Sequence, residues 1–259
     1  MDLTEFAADV GAEQPVSIAG LGTRGGPVDG IHTVMAPTGI DRVQPDEMTV
    51  RCGAGTPVEE LDDALSMHGQ SVAIPPFGTV GGALSVGRSG LRRLGYGPVR
   101  DTLLQATFVN ARGELVTAGG PTVKNVSGFD LCRLLVGSSG TLGFIGDVIL
   151  RTRPRAAFEQ WFETADDPFS LFPRLYRPTS VLWDGATSWV LLDGHPADVE
   201  EGATSAGLVP VVGPPTLPDA ARWSLPASAL ADLRDQEPGS FVAEIGVGIV
   251  HHTRPAPRT

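Results

Sequence analysis

The sequence predicts a protein of mixed helices and strands in two parts, and three observations carry that reading. Short apolar runs separated by glycine turns, with a few short helices among them, fill residues 1–155. Residues 158–212 follow the order β-α-β-β-α-β, the ferredoxin-like arrangement. Composition breaks between the two: residues 1–155 carry 16 acids and 13 bases, whereas 156–259 carry 14 acids, 6 bases and 12 of the 22 prolines. At 259 residues, with 41% hydrophobic and 19% charged side chains, the chain buries a full core in one large or two modest domains.

The elements follow in order. Leu3 to Val10 reads as a short helix and Pro15 to Ala19 as a strand that runs into the loop Gly20-Leu21-Gly22-Thr23-Arg24-Gly25-Gly26. Its glycines admit positive φ and close backbone approach, while Thr23 and Arg24 supply a hydroxyl and a cation. Such a loop suits a phosphate, and it equally suits an ordinary structural turn; it lacks the G-x-G-x-x-G spacing of a Rossmann fingerprint. Ile31 to Met35 and Met48 to Cys52 are further strands. The helix after them is signalled by Thr56 as cap, Pro57 at the first position, Glu59 completing a capping box, and the stripe Val58, Leu61, Leu65. Ser71 to Ile74 is a short strand, Leu104 to Val109 and Glu114 to Ala118 a hairpin, Asp130 to Leu135 a helix, Ser138 to Leu142 a turn, and Ile145 to Thr152 a closing strand.

Between these lies Pro75 to Asp101, PPFGTVGGALSVGRSGLRRLGYGPVRD, with seven glycines, four arginines and one acid in a chain of net charge −11. Such a segment brings bare N–H groups and guanidiniums to an anion. Lys124 is the only lysine among 19 basic residues, which marks it as a phosphate contact or, alternatively, a solvated loop residue.

Beyond Phe158 the readings are a strand at Phe158 to Phe162, a helix at Pro168 to Arg177, a hairpin of Ser180 to Trp183 with Trp189 to Asp193, a helix at Ala197 to Ala206 and a strand at Leu208 to Val212. A linker with Pro214, Pro215 and Pro218 leads to a helix at Ala227 to Arg234, and Phe241 to His251 is a final strand pair.

The acidic balance argues against general nucleic-acid or anionic-membrane binding. No run approaches the ~18 apolar residues of a membrane span, and the N-terminus lacks a signal pattern, so no integral membrane segment and a cytoplasmic location are expected. Cys52 and Cys132 are expected as buried free thiols, and the scattered histidines form no metal constellation.

Three ordered blocks, IAGLGTRGG, then PPFGTVGGALSVGRSGLRRLGYGPVRD, then VKNVSGFDLCRLLVGSSGTLGFIGDVILRTRP, resemble the FAD-binding domain of the vanillyl-alcohol oxidase/PCMH flavoprotein family. Within it, the T-V-G-G-A, R-R-x-G-x-x-x-R-D and V-K-N-V-x-G-[YF]-D runs are similar to those of the FAD-binding E subunits of bacterial glycolate oxidases. The resemblance covers Val16 to Arg155 and implies an α+β fold, a PCMH-type domain of two subdomains over residues 1–155, followed by a reduced substrate cap over 156–240 and a C-terminal strand, 241–259, returning to the FAD domain.

Carried over by block, the resemblance implies that Gly20, Leu21, Gly22, Thr23, Arg24 and Gly25 hold the pyrophosphate. Pro76, Gly78, Thr79, Val80, Gly81 and Gly82 approach it from the other subdomain. Ser85, Ser89 and Gly90 lie along the ribityl and isoalloxazine region, Gly143, Phe144 and Ile145 meet the adenine end, and Arg100 and Lys124 join the cations. No histidine stands in the first loop and no cysteine in PPFGTVGG, so FAD is expected to be bound without a covalent bond.

Oxidising a 2-hydroxy acid needs a base and a cation for the carboxylate; His251, Arg92 and Tyr96 are the candidates. A paired histidine near a terminus is also a common solvent-exposed feature, and Arg92 equally serves a phosphate or a surface acid. The cap is small and the chain stops at HHTRPAPRT, without the segment that relatives use to close over the flavin. The implied function is therefore the FAD-binding subunit of a multi-component 2-hydroxy-acid (glycolate-like) dehydrogenase or oxidase, partnered by a larger flavoprotein and an iron–sulfur subunit. A stand-alone oxidoreductase of a small hydroxyl substrate and a non-catalytic interaction subunit that has lost FAD are the alternatives.

Overall fold

The computed structural model describes residues 1–121 and 129–255. It divides into two compact units, Met1–Gly90 with Pro98–Arg155, and Leu91–Gly97 with the chain from Ala156 onward. The sequence boundary at Arg155 thus misses one crossing, because Leu91–Gly97 is fastened inside the second unit: Gly95 N donates to Thr179 O at 3.2 Å and the Tyr96 hydroxyl to Asp193 Oδ2 at 2.6 Å.

In the first unit, α1 (Thr4–Val10) buries Phe6 and Val10. β1 (Val16–Ala19) pairs in parallel with β2 (His32–Met35). β3 (Ile40–Gln44) and β4 (Thr49–Gly53) precede α2 (Val58–Ser66), whose Val58, Leu61 and Leu65 are buried as their spacing requires. The proposed capping box does not form. Pro57 is the N-cap, and the wholly buried Thr56 hydroxyl instead accepts from Gly39 N at 3.0 Å, because a buried hydroxyl bonds whatever backbone packs over it.

β5 (Gln70–Ser71) pairs with β9 (Arg153–Pro154). Inside the glycine-rich stretch lies a helix the sequence reading did not anticipate, α3 (Val80–Val86), capped by Thr79 and ended by Gly87 at φ +66°. Three glycines in ten residues mask it, yet Val80, Ala83 and Leu84 are buried. The short α4 (Arg93–Tyr96) belongs to the second unit. β6 (Leu103–Val109), β7 (Leu115–Gly119), α5 (Leu131–Leu135) and β8 (Phe144–Arg151) complete the first unit. Its main sheet is antiparallel in the order β3-β4-β8-β6-β7. β8 takes the middle because FIGDVILR is buried on both faces, with Val148 and Leu150 fully enclosed.

The second unit carries β10 (Phe158–Thr164), α6 (Pro168–Leu171), β11 (Ser180–Trp183), β12 (Ser188–Gly194), α7 (Pro196–Ala206), β13 (Val209–Val211), β14 (Ala221–Ser224), β15 (Phe241–Glu244) and β16 (Ile249–His252). They form one seven-stranded sheet in the order β13-β10-β12-β11-β15-β16-β14. The helix expected at Pro168 to Arg177 stops at Leu171 and tightens into a 3-10 turn, since Pro173 cannot donate to the next helical bond. The helix expected at Ala227 to Arg234 is likewise a 3-10 segment, Ala227–Asp235. β14, read as linker, is an edge strand with Trp223 as its one buried residue. The final strand pair expected at Phe241 to His251 is β15 and β16, which pair with each other and with β11 and β14 in this sheet.

Each unit has its own core. Trp183 packs edge-on against Phe241 at 5.4 Å in the second, and His252 stacks on Trp223 at 4.1 Å. No helix among the described residues is long and apolar enough to cross a membrane.

Candidate functional site

The first unit holds a cavity of about 430 Å³, within the range of small-molecule sites. Residues from all three glycine-rich blocks line it. The first block gives Gly20 to Gly26, the second Thr79, Gly81, Gly82, Ser85 and Val86, and the third Ser139, Gly140, Thr141, Phe144 and Ile145. β1 with Ala36, Ala54 and Gly55 completes the wall.

Local chemistry explains the convergence. The first loop leaves β1 with Gly22 at φ +71° and Gly25 at φ +114°, conformations that favour glycine, and a Cβ on either would meet no atom within 4 Å. The space beside both residues is therefore open. Gly20 comes close enough to the second block that a Cβ would lie 3.1 Å from Thr79 Oγ1. The third block is docked onto α3 by Gly137 N donating to Leu84 O at 3.0 Å and Ser139 N to Ser85 O at 2.8 Å.

The second block works differently from the expectation of free N–H groups. Val80 N donates to Thr56 O at 2.9 Å, Gly81 N to Ala54 O at 2.7 Å and Gly82 N to Thr79 Oγ1 at 3.1 Å. Those donors hold α3 in place, and their N–H groups are already satisfied within the protein. Arg24 is the cation among the lining residues. Its guanidinium lies over the Phe77 ring, 4.3 Å from the centroid, and its Nη2 is buried with no partner among the described residues. Burial pushes its pKa down, although an arginine remains charged throughout the working pH range.

The remaining expected residues divide. Gly78 is buried beneath Arg24 and Val80 is in the core; neither lines the cavity. The Ser89 hydroxyl accepts from Val99 N at 3.2 Å, and Pro76, Gly90 and Arg100 are exposed away from the cavity wall. Gly143 supports its neighbours, since a Cβ there would sit 2.6 Å from the Phe108 ring. Lys124 lies outside the described residues. Ser139, Gly140, Thr141 and the pair Ala54-Gly55 are lining residues missed in the sequence. The signal for Gly55 was the GAG after β4: a Cβ would lie 2.2 Å from Ala36 O, so only glycine lets the two segments cross.

The catalytic candidates stand in the second unit, and register places their partners on one face of its sheet. Glu159 is opposite Asp193, and Leu182 is opposite Glu244, which is opposite Ile249, two residues from His251. Arg92 forks onto Glu159, at 2.5 and 2.8 Å, and that hydrogen-bonded carboxylate drives the arginine pKa up. Asp193 accepts from Tyr96 and, at 2.6 Å, from Thr179 Oγ1. His251 Nε2 is 3.0 Å from the Glu244 carboxylate, which is 4% exposed. A carboxylate accepts, so Nε2 carries a proton, and in the neutral ring Nδ1 keeps the lone pair.

The cavity residues fit a flavin dinucleotide. A guanidinium whose Nη2 has no partner among the described residues and a glycine-rich loop suit a diphosphate, and the hydroxyls of Thr23, Thr79, Ser85, Ser139 and Thr141 suit a polyol and a ribose.

Comparison with known proteins agrees. Residues 10–119 match the family model described as FAD binding domain. The D-lactate dehydrogenase of Archaeoglobus fulgidus is 41% identical over 44% of this chain and 26% of its own length. Glycolate oxidase subunit GlcE of Escherichia coli is 36% identical over 45% and 35%, and glycolate oxidase subunit GlcD of Bacillus subtilis is 29% identical over 76% and 39%. The matched segments thus span between about a quarter and two fifths of these relatives. A solved alkyldihydroxyacetonephosphate synthase superposes with a TM-score of 0.58 over 78% of this chain and 51% of that one, at 18% identity, which shows a shared fold. Residues 10–119 are thus an FAD-binding domain, the fold is one shared with the solved synthase, and the cofactor is FAD.

Proposed function

We propose that this chain is the FAD-binding subunit of a multi-component oxidoreductase acting on a 2-hydroxy acid of the glycolate class, with FAD held non-covalently. The observation that carries this is the convergence of three glycine-rich blocks on one cavity, in a sequence whose relatives include proteins named as glycolate oxidase subunits and D-lactate dehydrogenases. Both names denote 2-hydroxy acids. Among the described lining residues none is histidine or cysteine, which supports a non-covalent cofactor.

In this reading residues 156–240 are a reduced form of the family's substrate cap. The order of β10, β11, β12 and β13, with helices in the two crossovers, supports a ferredoxin-like core, to which β15, β16 and β14 are added. The bound flavin supplies the two-electron acceptor for the substrate's hydride. His251, oriented through Nε2 by Glu244, is the candidate base of the second unit, with Nδ1 as its proton acceptor. Tyr96 and Arg92 are the polar groups offered to a carboxylate, Arg92 only by exchanging Glu159 for it. Partners are a larger flavoprotein and an iron–sulfur protein, in the cytoplasm.

The decisive experiment is co-expression with such proteins, followed by affinity purification and a visible spectrum before and after acid precipitation. A flavin-containing assembly whose FAD appears in the acid supernatant is expected; flavin that stays with the pellet refutes the non-covalent reading. A stand-alone oxidoreductase is the second reading, favoured by the preassembled His251–Glu244 pair. It predicts that the isolated chain, kept anaerobic, bleaches with glycolate or lactate, and full activity in that form would overturn the subunit role.

A further inference from the structure

We propose that Phe77 and Gly78 are positioning residues which fix Arg24 as the cation that reads the diphosphate of the flavin. The proposal rests on the assignment of the cavity to FAD.

Three observations converge. Arg24 has its guanidinium stacked on Phe77 at 4.3 Å, although the two are far apart in the chain. A flat guanidinium lies against a ring face in one orientation, so this contact removes much of the side chain's freedom. Gly78, at φ +75°, closes the other side. A Cβ there would stand 2.2 Å from Arg24 Nη1 and 2.3 Å from Thr23 Oγ1, so the guanidinium occupies the space that any other residue would fill. Finally, Arg24 lines the cavity while its Nη2 is buried without a partner, and no carboxylate pairs with it among the described residues.

A cation held rigid and left uncompensated is costly in a free protein, and an incoming anion offsets that cost. Preorganisation makes the gain larger, because little side-chain entropy is lost on binding. Phe77 is half exposed, and its ring lies at the surface against the Arg24 guanidinium. Other arginines of the unit are engaged by acids, as Arg51 is by Asp147, Arg133 by Asp101 and Arg155 by Asp62.

The test is a set of binding measurements on the full chain stripped of flavin. FAD and riboflavin are titrated by fluorescence quenching, and ADP by competition; riboflavin lacks phosphate and ADP lacks the flavin ring. Arg24→Gln is expected to weaken FAD and ADP by about 10- to 150-fold, the range for losing a charged hydrogen bond, and riboflavin by less than about twofold. Arg24→Lys, which keeps the charge but not the flat stacking face, is the second variant should the first fail to fold, with FAD weakened about 3- to 10-fold. Phe77→Leu and Gly78→Ala keep the arginine but release or displace its guanidinium, and are expected to weaken FAD and ADP by about 3- to 10-fold, again sparing riboflavin. Added salt should weaken FAD binding in the native protein more than in Arg24→Gln.

Equal losses for FAD and riboflavin would mean a merely structural role and overturn the proposal. So would an unchanged FAD affinity in Arg24→Gln, or in both Phe77→Leu and Gly78→Ala. A native chain that binds neither FAD nor riboflavin would instead overturn the flavin assignment itself, so the two failures are distinct.

Discussion

Replacing Arg51 by alanine should destabilise the first unit far more than a surface ion pair would suggest. Arg51 reaches from β4 to Asp147 on β8, with Nη2 at 2.6 Å and Nε at 3.1 Å from Oδ2. Asp147 is 0% exposed and its Oδ1 has no partner among the described residues, so the arginine is the main counterweight to a carboxylate inside the core. Removing one member of a buried pair typically costs about 3–5 kcal/mol, because the other charge is left desolvated. At roughly 2–4 °C per kcal/mol for a domain of this size, the melting temperature should fall by about 6–20 °C. Urea unfolding of the flavin-free chain measures the loss directly. The companion variant, Asp147→Leu in the Arg51→Ala background, should recover most of it, since apolar replacement of both partners is often neutral. A loss below about 1 kcal/mol, the scale of exposed pairs, would refute the reasoning, as would a double variant no more stable than the single one.

Other consequences are accessible to simple measurements. His252 is enclosed between Trp223 and Phe241, with Nδ1 accepting from Arg254 N at 2.9 Å, and desolvation, aided by the nearby Arg254 charge, lowers its pKa. The unfolded imidazole protonates near pH 6.5 while the folded one stays neutral, so stability should be flat above that pH and fall as pH drops below it. The limiting slope is about 1.4 kcal/mol per pH unit. Comparing urea midpoints from pH 8 to pH 5, His252→Phe should lose that slope while keeping the stack; an unchanged slope would exclude His252 as its source. Burial pushes the Cys52 thiol up to about 12 and the Cys132 thiol to about 11. Neither should react with a disulfide reagent at pH 8 in the folded chain, and both should react in denaturant. Glu244→Gln should lower the turnover of a loaded assembly and move its pH profile, with FAD content unchanged; an unaltered profile would separate His251 from the chemistry.

Much of the fold was legible because local chemistry and the final structure agree. The Val58, Leu61, Leu65 stripe is buried as its period requires, and the glycine clusters mark places where backbone must bend or approach closely. Where they disagree, a tertiary partner took over a group that local rules had assigned elsewhere. Thr56 was a plausible helix cap until Gly39 packed against it. Val80, Gly81 and Gly82 were plausible phosphate donors until Thr56, Ala54 and Thr79 took their N–H groups. β14 has one buried residue and no alternation, so nothing local marks it; its register with β16 makes it a strand.

The sequence alone therefore marked an FAD-binding domain and the glycine-rich loops that line its cavity, because glycine requirements are written residue by residue along the chain. Tertiary structure decided which group in those loops is free to meet an anion. Arg24, which has no acid partner among the described residues, meets Phe77 and Gly78 only in the folded chain. Arg92, similar to it on paper, is instead neutralised by Glu159, 67 positions away. Charge is a property of the residue, whereas its availability depends on what the fold places within a few ångströms, and no local pattern encodes that.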